Sequence, residues 1–369
     1  MRTSLNDLRF MRMAISLARR GHGDVAPNPS VGCVIVKNGR VVGRGWTQSG
    51  GRPHAETEAL FQAGKNAAGA DVYVTLEPCA HHGKTPPCAD ALIAAGVARV
   101  VVGVRDPDPR VDGGGIKRLR SAGIVVVEGI CELEARDAID GFLSKILDGR
   151  PSVTVKAATT LDGRIATSEG ASRWITGAIS RSMVHGMRAR HDAIMIGAGT
   201  AITDDPSLTC RLPGLEERSP IRVIVCGKTP IPLSHNLVRC ASEVATMFFV
   251  NNSHPLEYCA KYKAAGINVV KVKSTPNGNT DLSEVLFSLG SHGVTRLMVE
   301  GGGKLISTLL KGGLVDRLVW FRAPKLIGGD GVAVAAKFGV GTLDGAANFV
   351  QVSVRSAGDD LIETYVRKL

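Results

Sequence analysis

Residues 77–88 read E-P-C-A-H-H-G-K-T-P-P-C and directly follow an apolar run at 71–76 that has the length of a buried strand. Earlier in the chain, H-A-E at 54–56 opens a stretch with helical spacing. The two stretches place one imidazole, two thiols and one carboxylate where a strand ends and where a helix begins. Zinc enzymes take their ligands and their proton-transfer groups from these residue types. The two stretches therefore indicate an α/β domain built around a zinc site.

The predicted zinc ligands are His54, Cys79 and Cys88. One imidazole and two thiolates suit Zn²⁺, and three protein ligands leave the fourth tetrahedral position open for water. An open position is typical of a catalytic zinc, whereas a structural zinc has four protein ligands. Glu56 follows His54 closely enough to reach that water without binding the metal. We predict that Glu56 takes the water proton and delivers it to the substrate ring nitrogen and the leaving ammonia.

Zinc-dependent nucleobase deaminases carry H-x-E followed by P-C-x-x-C. This chain has H-A-E and P-C, but eight residues separate its two cysteines. One alternative is an RNA-editing type of zinc deaminase with an accessory C-terminal domain, which would suit a basic chain; the wide cysteine spacing disfavours it. A second alternative is a nucleic-acid-binding protein with a structural zinc. It requires a fourth protein ligand, and aromatic residues at 4% leave little material for stacking bases.

The segments around the zinc motifs alternate between strand and helix, which predicts a three-layer α/β domain with a central sheet. Strands are predicted at 31–36, 71–76, 99–104 and 124–127, and helices at 7–20, 56–67, 88–95, 114–122 and 132–147. The turn-forming sequence D-G-R-P at 148–151 ends this pattern. We place the domain boundary there, giving domains at 1–149 and 150–369.

The second half repeats the alternation and is again predicted to be α/β. Its predicted strands lie at 153–159, 192–197, 221–225, 245–250, 268–272, 295–299 and 314–321, and its helices at 180–190, 256–265, 282–289 and 303–311. E-G-G-G-K at 300–304 follows a strand and opens a helix, a setting that attracts phosphate, although a plain tight turn is an alternative. The glycines at 113–115 lack the Lys-Ser/Thr of a nucleotide loop and are interpreted as a turn that begins a helix.

The composition is that of a basic two-domain protein. Lysine and arginine number 45 against 34 acidic residues, a formal charge of +11, which favours contact with anions such as phosphates. Charges at helical spacing in residues 1–20 argue against a signal peptide, and no apolar stretch is long enough to predict a membrane span. Eight cysteines are too sparse for a disulfide scaffold. We expect a cytoplasmic protein with neither a membrane nor a nucleic acid as its partner.

Three motifs in the first half match a known family: the stretch at 78–88, A-P-N-P-S-V-G-C-V at 26–34 and V-R-D-P-D-P at 104–109. By these motifs the first half resembles the deaminase domain of the bifunctional riboflavin-biosynthesis deaminase/reductases. The resemblance implies a cytidine-deaminase-like fold. It also implies that the diaminopyrimidine and its ribose phosphate contact Asn28, His81, Lys84, Asp106 and Asp108.

The second half carries four motifs similar to the reductase domain of the same family, at 156–166, 172–176, 197–200 and 204–211. The resemblance implies a fold similar to dihydrofolate reductase, with NADPH as the cofactor. It implies that NADPH contacts Ala158, Trp174, Thr200, Asp204, Gly301, Gly302, Gly303 and Lys304. It further implies that the substrate contacts Ser172, Arg188, Leu208, Arg211 and Glu300.

Side-chain chemistry supports part of these implied roles. Arg188 and Arg211 could clamp a phosphate in bidentate fashion, and Trp174 offers a flat surface to a nicotinamide. The proton donor of the reduction stays open between Asp204 and a water. The implied function is deamination of a phosphorylated ribosylaminopyrimidine followed by NADPH-dependent reduction of its ribosyl group. We expect a homo-oligomer, most simply a dimer, in which the last forty residues complete the sheet or form a subunit contact.

Overall fold

The computed structural model describes residues 4–81, 86–337 and 339–368. The chain divides into two compact units, Met1–Gly149 and Arg150–Leu369. Each unit has its own sheet and its own apolar core, so each is described by itself. Among the described residues, every helix is too short or too polar to cross a lipid bilayer.

The first unit is built on a five-stranded sheet of order β2-β1-β3-β4-β5, as far as the described residues extend. β1 pairs antiparallel with β2 and β3, whereas β3, β4 and β5 run parallel. The strands are β1 Gly32–Lys37, β2 Arg40–Trp46, β3 Asp71–Leu76, β4 Arg99–Val104 and β5 Val125–Glu128. The helices are α1 Leu5–Ala18, α2 Ala55–Ala63, α3 Cys88–Ala94, α4 Gly114–Ser121, α5 Glu132–Ala138 and α6 Asp140–Asp148.

Helices cover both faces of this sheet. The main chain of α1 at Ala14 lies so close to Gly32 in β1 that a Cβ there would overlap it. The main chain of α2 at Ala55 approaches Gly45 in β2 in the same way. Gly32 pairs with Trp46, so Gly45 faces the other side of the sheet. The predicted three-layer arrangement is confirmed, with α1 and α2 in opposite outer layers.

Two elements of the first unit differ from the sequence prediction. Strand β2 was not predicted, because glycines at 43 and 45 weaken its strand pattern. The helix predicted at 132–147 is divided into α5 and α6 at Ile139, whose φ of −117° and ψ of 19° are not helical. The predicted sheet strands at 71–76 and 99–104 coincide with β3 and β4.

A buried carboxylate ties α1 to the sheet. Asp7 is 4% exposed and accepts hydrogen bonds from both terminal nitrogens of Arg99, at 2.9 and 3.0 Å, and from the hydroxyl of Tyr73 at 2.9 Å. The Arg99 hydrogen bonds lower the pKa of Asp7 from 3.8 to about 2. A carboxyl group whose pKa falls on folding stabilises the protein above its unfolded pKa, and this contribution is lost as the pH falls through the folded pKa.

We therefore expect Asp7→Asn to lower the free energy of unfolding by about 2 kcal/mol at neutral pH, because it removes the buried carboxylate that pairs with both terminal nitrogens of Arg99 and leaves only half-buried Asp71 at 3.6 Å. Urea denaturation would measure the change. Glu134→Gln is the matched control, since it breaks an exposed ion pair with Arg12 and should change stability by less than about 1 kcal/mol. The difference in the free energy of unfolding between wild type and Asp7→Asn should shrink as the pH is lowered from about 4 towards 2. A difference that does not change with pH would contradict the role given to Asp7.

The second unit is built on a nine-stranded sheet of order β11-β10-β9-β8-β12-β6-β13-β16-β15, counted over the described part of the chain. The strands from β11 to β13 run parallel, and β16 and β15 add an antiparallel edge. The strands of the unit, including a small β7–β14 pair, are β6 Ser152–Thr159, β7 Arg164–Ala166, β8 Ala193–Gly197, β9 Ile221–Val225, β10 Thr246–Asn251, β11 Asn268–Val272, β12 Arg296–Val299, β13 Arg317–Arg322, β14 Val332–Ala333, β15 Phe349–Ala357 and β16 Asp360–Arg367.

Helices connect the parallel strands, as the predicted α/β alternation requires. They are α7 Ala178–Arg188, α8 Ala198–Asp204, α9 Asn236–Arg239, α10 Leu256–Ala264, α11 Leu282–Ser291 and α12 Gly303–Lys311. Short α8 and α9 were not predicted, since neither is long enough to show a periodic pattern. The expectation that the last forty residues complete the sheet is confirmed by the β15–β16 hairpin.

Candidate functional site

The predicted zinc ligands meet at one edge of the first sheet. His54 is the N-cap residue of α2, Cys79 follows β3, and Cys88 is the first residue of α3. The His54 Nδ1 atom lies 3.3 Å from the Cys88 sulfur and 3.8 Å from the Cys79 sulfur. All three candidate ligand atoms lie within 4.8 Å of one another. One nitrogen and two sulfurs converging on one point, at the start of two helices, match the donor set that zinc prefers.

The surroundings perturb the acid–base properties of this cluster. Glu56, in the first turn of α2, is 4% exposed, and burial raises its pKa to about 7. The pKa of Cys79 is lowered to about 4 by hydrogen bonds, of which the one from the thiol of Cys88 has the largest effect. The same contact, together with burial, raises the pKa of Cys88. The lowered pKa of Cys79 favours its thiolate, the form of cysteine that binds metal.

Glu77 connects this site to the neighbouring loop. Its carboxylate is 3% exposed and accepts four backbone N–H groups at 3.0–3.2 Å, those of Asp106, Gly113, Gly115 and Ile116. The carboxylate therefore occupies the N-terminus of α4, where it satisfies the backbone N–H groups of the first turn. The interpretation of the glycines at 113–115 as a turn that begins a helix is confirmed, since Gly113 has a φ of 81° and α4 starts at Gly114.

Because Gly115 has no side chain, the start of α4 can pack directly against the backbone of Pro78. A Cβ at Gly115 would overlap the carbonyl oxygen of Pro78, next to Cys79, whereas a Cβ at Gly114 would make an ordinary 3.4 Å contact with Ala80. We expect Gly115→Ala to lower the free energy of unfolding by about 2 kcal/mol and to weaken zinc retention, because Pro78 and Cys79 must move together.

Gly114→Ala is the control for this substitution, and it should be neutral or slightly stabilising because alanine favours helix. Chemical denaturation and the zinc content after dialysis would measure both variants. Equal behaviour of the two alanine variants would contradict the proposed close packing.

Three predicted substrate contacts of the first unit, His81, Asp106 and Asp108, lie in the loops that follow β3 and β4. Asp106 and Asp108 follow β4, are 6% and 5% exposed, and are joined by a hydrogen bond from the Asp108 backbone N–H at 2.9 Å. Burial raises the pKa of Asp106 to about 6. Arg110 forms a salt bridge with Asp108 at 2.5 Å. The Nδ1 atom of His81 is buried and has no partner among the described residues.

Of the remaining two predicted contacts, the structure describes Asn28 but not Lys84. The amide of Asn28 fills the space above Gly51, in the segment that leads to His54. Lys84 lies outside the described residues, so its predicted contact rests on the sequence alone.

The second unit contains a pocket of about 690 Å³ at the carboxyl ends of β6, β8 and β12. Such a volume suits a cofactor-sized ligand, and this edge of a parallel sheet is where α/β proteins bind ligands. Ten of the predicted contacts line it: Ala158, Ser172, Trp174, Thr200, Asp204, Glu300, Gly301, Gly302, Gly303 and Lys304. The glycine turn opens α12, and the Gly302 N–H donates to the Thr200 hydroxyl at 3.1 Å.

Trp174 forms one wall of this pocket. Its side chain is 65% exposed, and the guanidinium of Arg181 lies 4.3 Å from the ring centroid on one face. Its carbonyl oxygen accepts a hydrogen bond from Lys325 at 2.8 Å. The indole is thus held in place while much of its surface stays accessible. Arg181 was not singled out in the sequence, because the contact requires the fold.

The base of the pocket holds a buried charge cluster. The Arg188 Nε and Nη2 atoms donate to the two oxygens of Glu300 at 2.7 and 2.9 Å, and Lys156 lies 4.0 Å from the same carboxylate. The pKa of Glu300 is lowered to about 2, since Arg188 and Lys156 outweigh the opposing effect of burial. Burial lowers the pKa of Lys156. Lys156 was missed as a site residue, since a lone lysine in a strand gives no signal.

This cluster bears on one prediction. In the bidentate phosphate clamp expected from Arg188 and Arg211, the Nε and Nη2 atoms of Arg188 already donate to Glu300. Arg211 is exposed, and its backbone N–H donates to His185. The side chain of Leu208 is 3% exposed and packs in an apolar cluster, so only its backbone can meet a ligand.

Family models match both units. The model described as the cytidine and deoxycytidylate deaminase zinc-binding region matches residues 4–104, and the model of the RibD C-terminal domain matches residues 151–362. With the converging zinc ligands and the pocket of the second unit, these matches define a two-domain enzyme, a zinc-dependent deaminase joined to a reductase. The predicted cofactors, Zn²⁺ and NADPH, agree with these domain types.

Relatives match along the whole chain. Riboflavin biosynthesis protein RibD of Aquifex aeolicus is 40% identical over 98% of both chains, and that of Escherichia coli is 40% identical over 97% of this chain and 98% of its own. The structure of Acinetobacter baumannii RibD superposes with a TM-score of 0.87 at 35% identity and covers 99% of both chains.

This chain belongs to the RibD family, the bifunctional deaminase/reductases of riboflavin biosynthesis. The resemblance predicted from the motifs and the two fold classes are confirmed. The RNA-editing alternative is not supported, because it assumed an unrelated C-terminal domain.

Proposed function

We propose that residues 1–149 deaminate 2,5-diamino-6-ribosylamino-4(3H)-pyrimidinone 5′-phosphate and that residues 150–369 then reduce its ribosyl group to ribityl with NADPH. The observation that carries this proposal is the convergence of His54, Cys79 and Cys88 beside the buried carboxylate of Glu56. A phosphorylated sugar is common to both steps, and the formal charge of +11 favours such an anion.

In the deamination step, His54, Cys79 and Cys88 would hold the metal. When bound there, Zn²⁺ supplies Lewis-acid activation of the attacking water. Glu56 accepts one proton of that water and delivers it to the ring nitrogen. It then takes the second proton from the hydroxyl group formed on the ring carbon and delivers it to the amine, which leaves as ammonia while the carbonyl forms. Burial of Glu56 keeps bulk water from competing for this proton. Asn28, His81, Lys84, Asp106 and Asp108 bind the diaminopyrimidine and its ribose phosphate.

In the reduction step, NADPH would lie in the pocket of the second unit. The residues that would hold it are Ala158, Trp174, Thr200, Asp204, Gly301, Gly302, Gly303 and Lys304. The start of α12 and its glycine turn offer backbone N–H groups and a positive dipole end to phosphate groups. The exposed indole of Trp174 offers a flat surface to the nicotinamide, and the bound cofactor would supply the hydride.

We assign Ser172, Arg188, Leu208, Arg211 and Glu300 to the substrate of the reduction; of these, Ser172 and Glu300 line the pocket. Exposed Arg211 binds the phosphate of that substrate. The ion pair between Arg188 and Glu300 fixes the shape of the base of the pocket, and Lys156 adds a buried amine that can donate a hydrogen bond to the sugar.

We also propose a homodimer formed through strand β15. In the part of the chain that the structure describes, nothing pairs with its outer edge, and Val350, Val352 and Val354 are 50%, 55% and 50% exposed. An unpaired apolar edge favours antiparallel pairing with the same strand of a second copy.

The described cysteines are all free thiols, which supports the expected cytoplasmic location.

The dimer has a direct test. Val354→Lys should give monomers in sedimentation, because an edge lysine opposes strand pairing. Phe61→Lys, at an 87% exposed position of the other unit, is the control and should stay dimeric. A monomeric wild type, or dissociation by the control alone, would contradict this surface.

The proposed reactions are tested by incubating purified protein with the diaminopyrimidine phosphate, with and without NADPH. Ammonia should appear without NADPH, and NADPH should be oxidised only after deamination has begun. The deaminated compound, 5-amino-6-(5-phosphoribosylamino)uracil, should be reduced without ammonia release. If zinc-loaded protein releases no ammonia, the substrate assignment is wrong.

A further inference from the structure

The terminal hairpin carries a buried carboxylate that reaches into the body of the second unit. Asp360, the first residue of β16, is 3% exposed. Its Oδ2 atom accepts the backbone N–H of Gly177 at 2.7 Å and the hydroxyl of Ser180 at 2.5 Å. These donors lie 183 and 180 residues earlier in the sequence. A single oxygen therefore joins the end of the chain to the start of helix α7.

This contact lies at the N-terminus of α7, where Asp360 accepts from the backbone N–H of Gly177 and from the hydroxyl of Ser180. Gly177 is the N-cap residue, and within the described chain no side chain of that N-terminal turn provides a cap. Helix N-termini are stabilised by an oxygen acceptor and by negative charge. Asp360 provides both from a distant strand.

Helix α7 bears on the pocket in two places: Arg181 lines it, and Arg188 contacts the lining residue Glu300. In its first turn, Arg181 stacks on Trp174 and donates to the carbonyl of Thr176 at 2.7 Å. In its last turn, Arg188 binds Glu300. Between these two arginines, on the same face of the helix, Val184 packs into a cluster that includes residues of the terminal hairpin and of β13. Any shift of the start of α7 therefore moves the tryptophan wall of the pocket.

We propose that Asp360 is a positioning residue for the reductase: it fixes the start of α7 and thereby holds the Trp174–Arg181 wall in the orientation that binds NADPH. The inference rests on the proposed function, because it assigns that wall to the cofactor. It gives the terminal hairpin a role in the reductase site in addition to closing the sheet. Arg188 is anchored separately by Glu300, so the effect on cofactor binding should exceed the effect on substrate binding.

The test is a titration of the full-length protein with NADPH, followed by quenching of protein fluorescence, together with reductase kinetics. Asp360→Ala should raise the Kd and the KM for NADPH about tenfold, because both hydrogen bonds to the carboxylate are lost. The kcat at saturating NADPH should stay within about twofold, and deamination by the same chain should be unchanged. Asp360→Asn should restore most of the affinity, since its amide oxygen can replace Oδ2.

Two further variants keep the test decisive. Asp359→Asn changes the exposed neighbouring carboxylate and should bind NADPH like wild type. Ser180→Ala removes one of the two hydrogen bonds and should raise the Kd about threefold, even if Asp360→Ala fails to fold. A lower melting temperature with unchanged NADPH affinity in these variants would reduce Asp360 to a structural role and overturn the inference. A wild type that does not bind NADPH would overturn the proposed function as well.

Discussion

Glu56→Gln should lower the kcat of deamination about 1,000-fold while the protein still binds zinc. Glutamine has the shape of glutamate but cannot accept the proton of the attacking water and pass it on. Glu56 is buried in the first turn of α2 and is not among the three converging ligands, so its replacement leaves the metal donors intact. Ammonia release and metal content, measured on the same sample, would separate proton transfer from metal binding.

Glu58→Gln is the matched control for Glu56→Gln. It removes a carboxylate from the same helical turn and should retain deaminase activity. Glu56→Gln should also stop NADPH oxidation when the diaminopyrimidine is supplied, yet allow it with the deaminated compound. Loss of zinc from Glu56→Gln, or activity within tenfold of wild type, would contradict the role given to this carboxylate.

Glu300→Gln should have the second largest effect, a fall of about 100-fold in the reductase kcat/KM. The carboxylate of Glu300 is the counter-charge of Arg188 and lies 4.0 Å from Lys156. An amide leaves two buried cations facing each other without that charge, so their side chains should move apart and change the base of the pocket. NADPH oxidation with 5-amino-6-(5-phosphoribosylamino)uracil would measure the loss without involving the deaminase.

Glu257→Gln is the control for Glu300→Gln, because Glu257 is an exposed carboxylate on α10. It should leave both activities unchanged. Glu300→Gln should release ammonia at the wild-type rate, since the two reactions are assigned to different units. Normal reductase activity in Glu300→Gln would contradict the importance of the charge cluster.

The zinc site could be predicted because its chemistry is local in the sequence. His54 and Glu56 lie in one helical turn, and the cysteines follow one strand, so their spacing alone indicated a shared site. The relation between the two stretches follows from the fold, since a strand end and two helix starts meet at the same edge of the sheet. The alternation of apolar runs predicted the parallel strands for the same reason.

The residues that were missed depend on pairs far apart in the sequence. Glu77 looks like any carboxylate until the backbone of the loop after β4 closes on it. The pairing of Arg188 with Glu300 could not be predicted, because the two residues lie 112 positions apart. The contact between Asp360 and Gly177 spans 183 residues. A motif shows which residue types are present, but only the fold shows which charges already have partners.

The most direct test of the zinc site is X-ray absorption spectroscopy at the zinc edge of the full-length protein, together with its metal content. We predict one zinc per chain, with two sulfur neighbours and one imidazole, and loss of one sulfur in Cys79→Ser. Protein that deaminates without zinc, or a zinc with three or more sulfur neighbours drawn from the eight cysteines, would contradict the assignment of His54, Cys79 and Cys88.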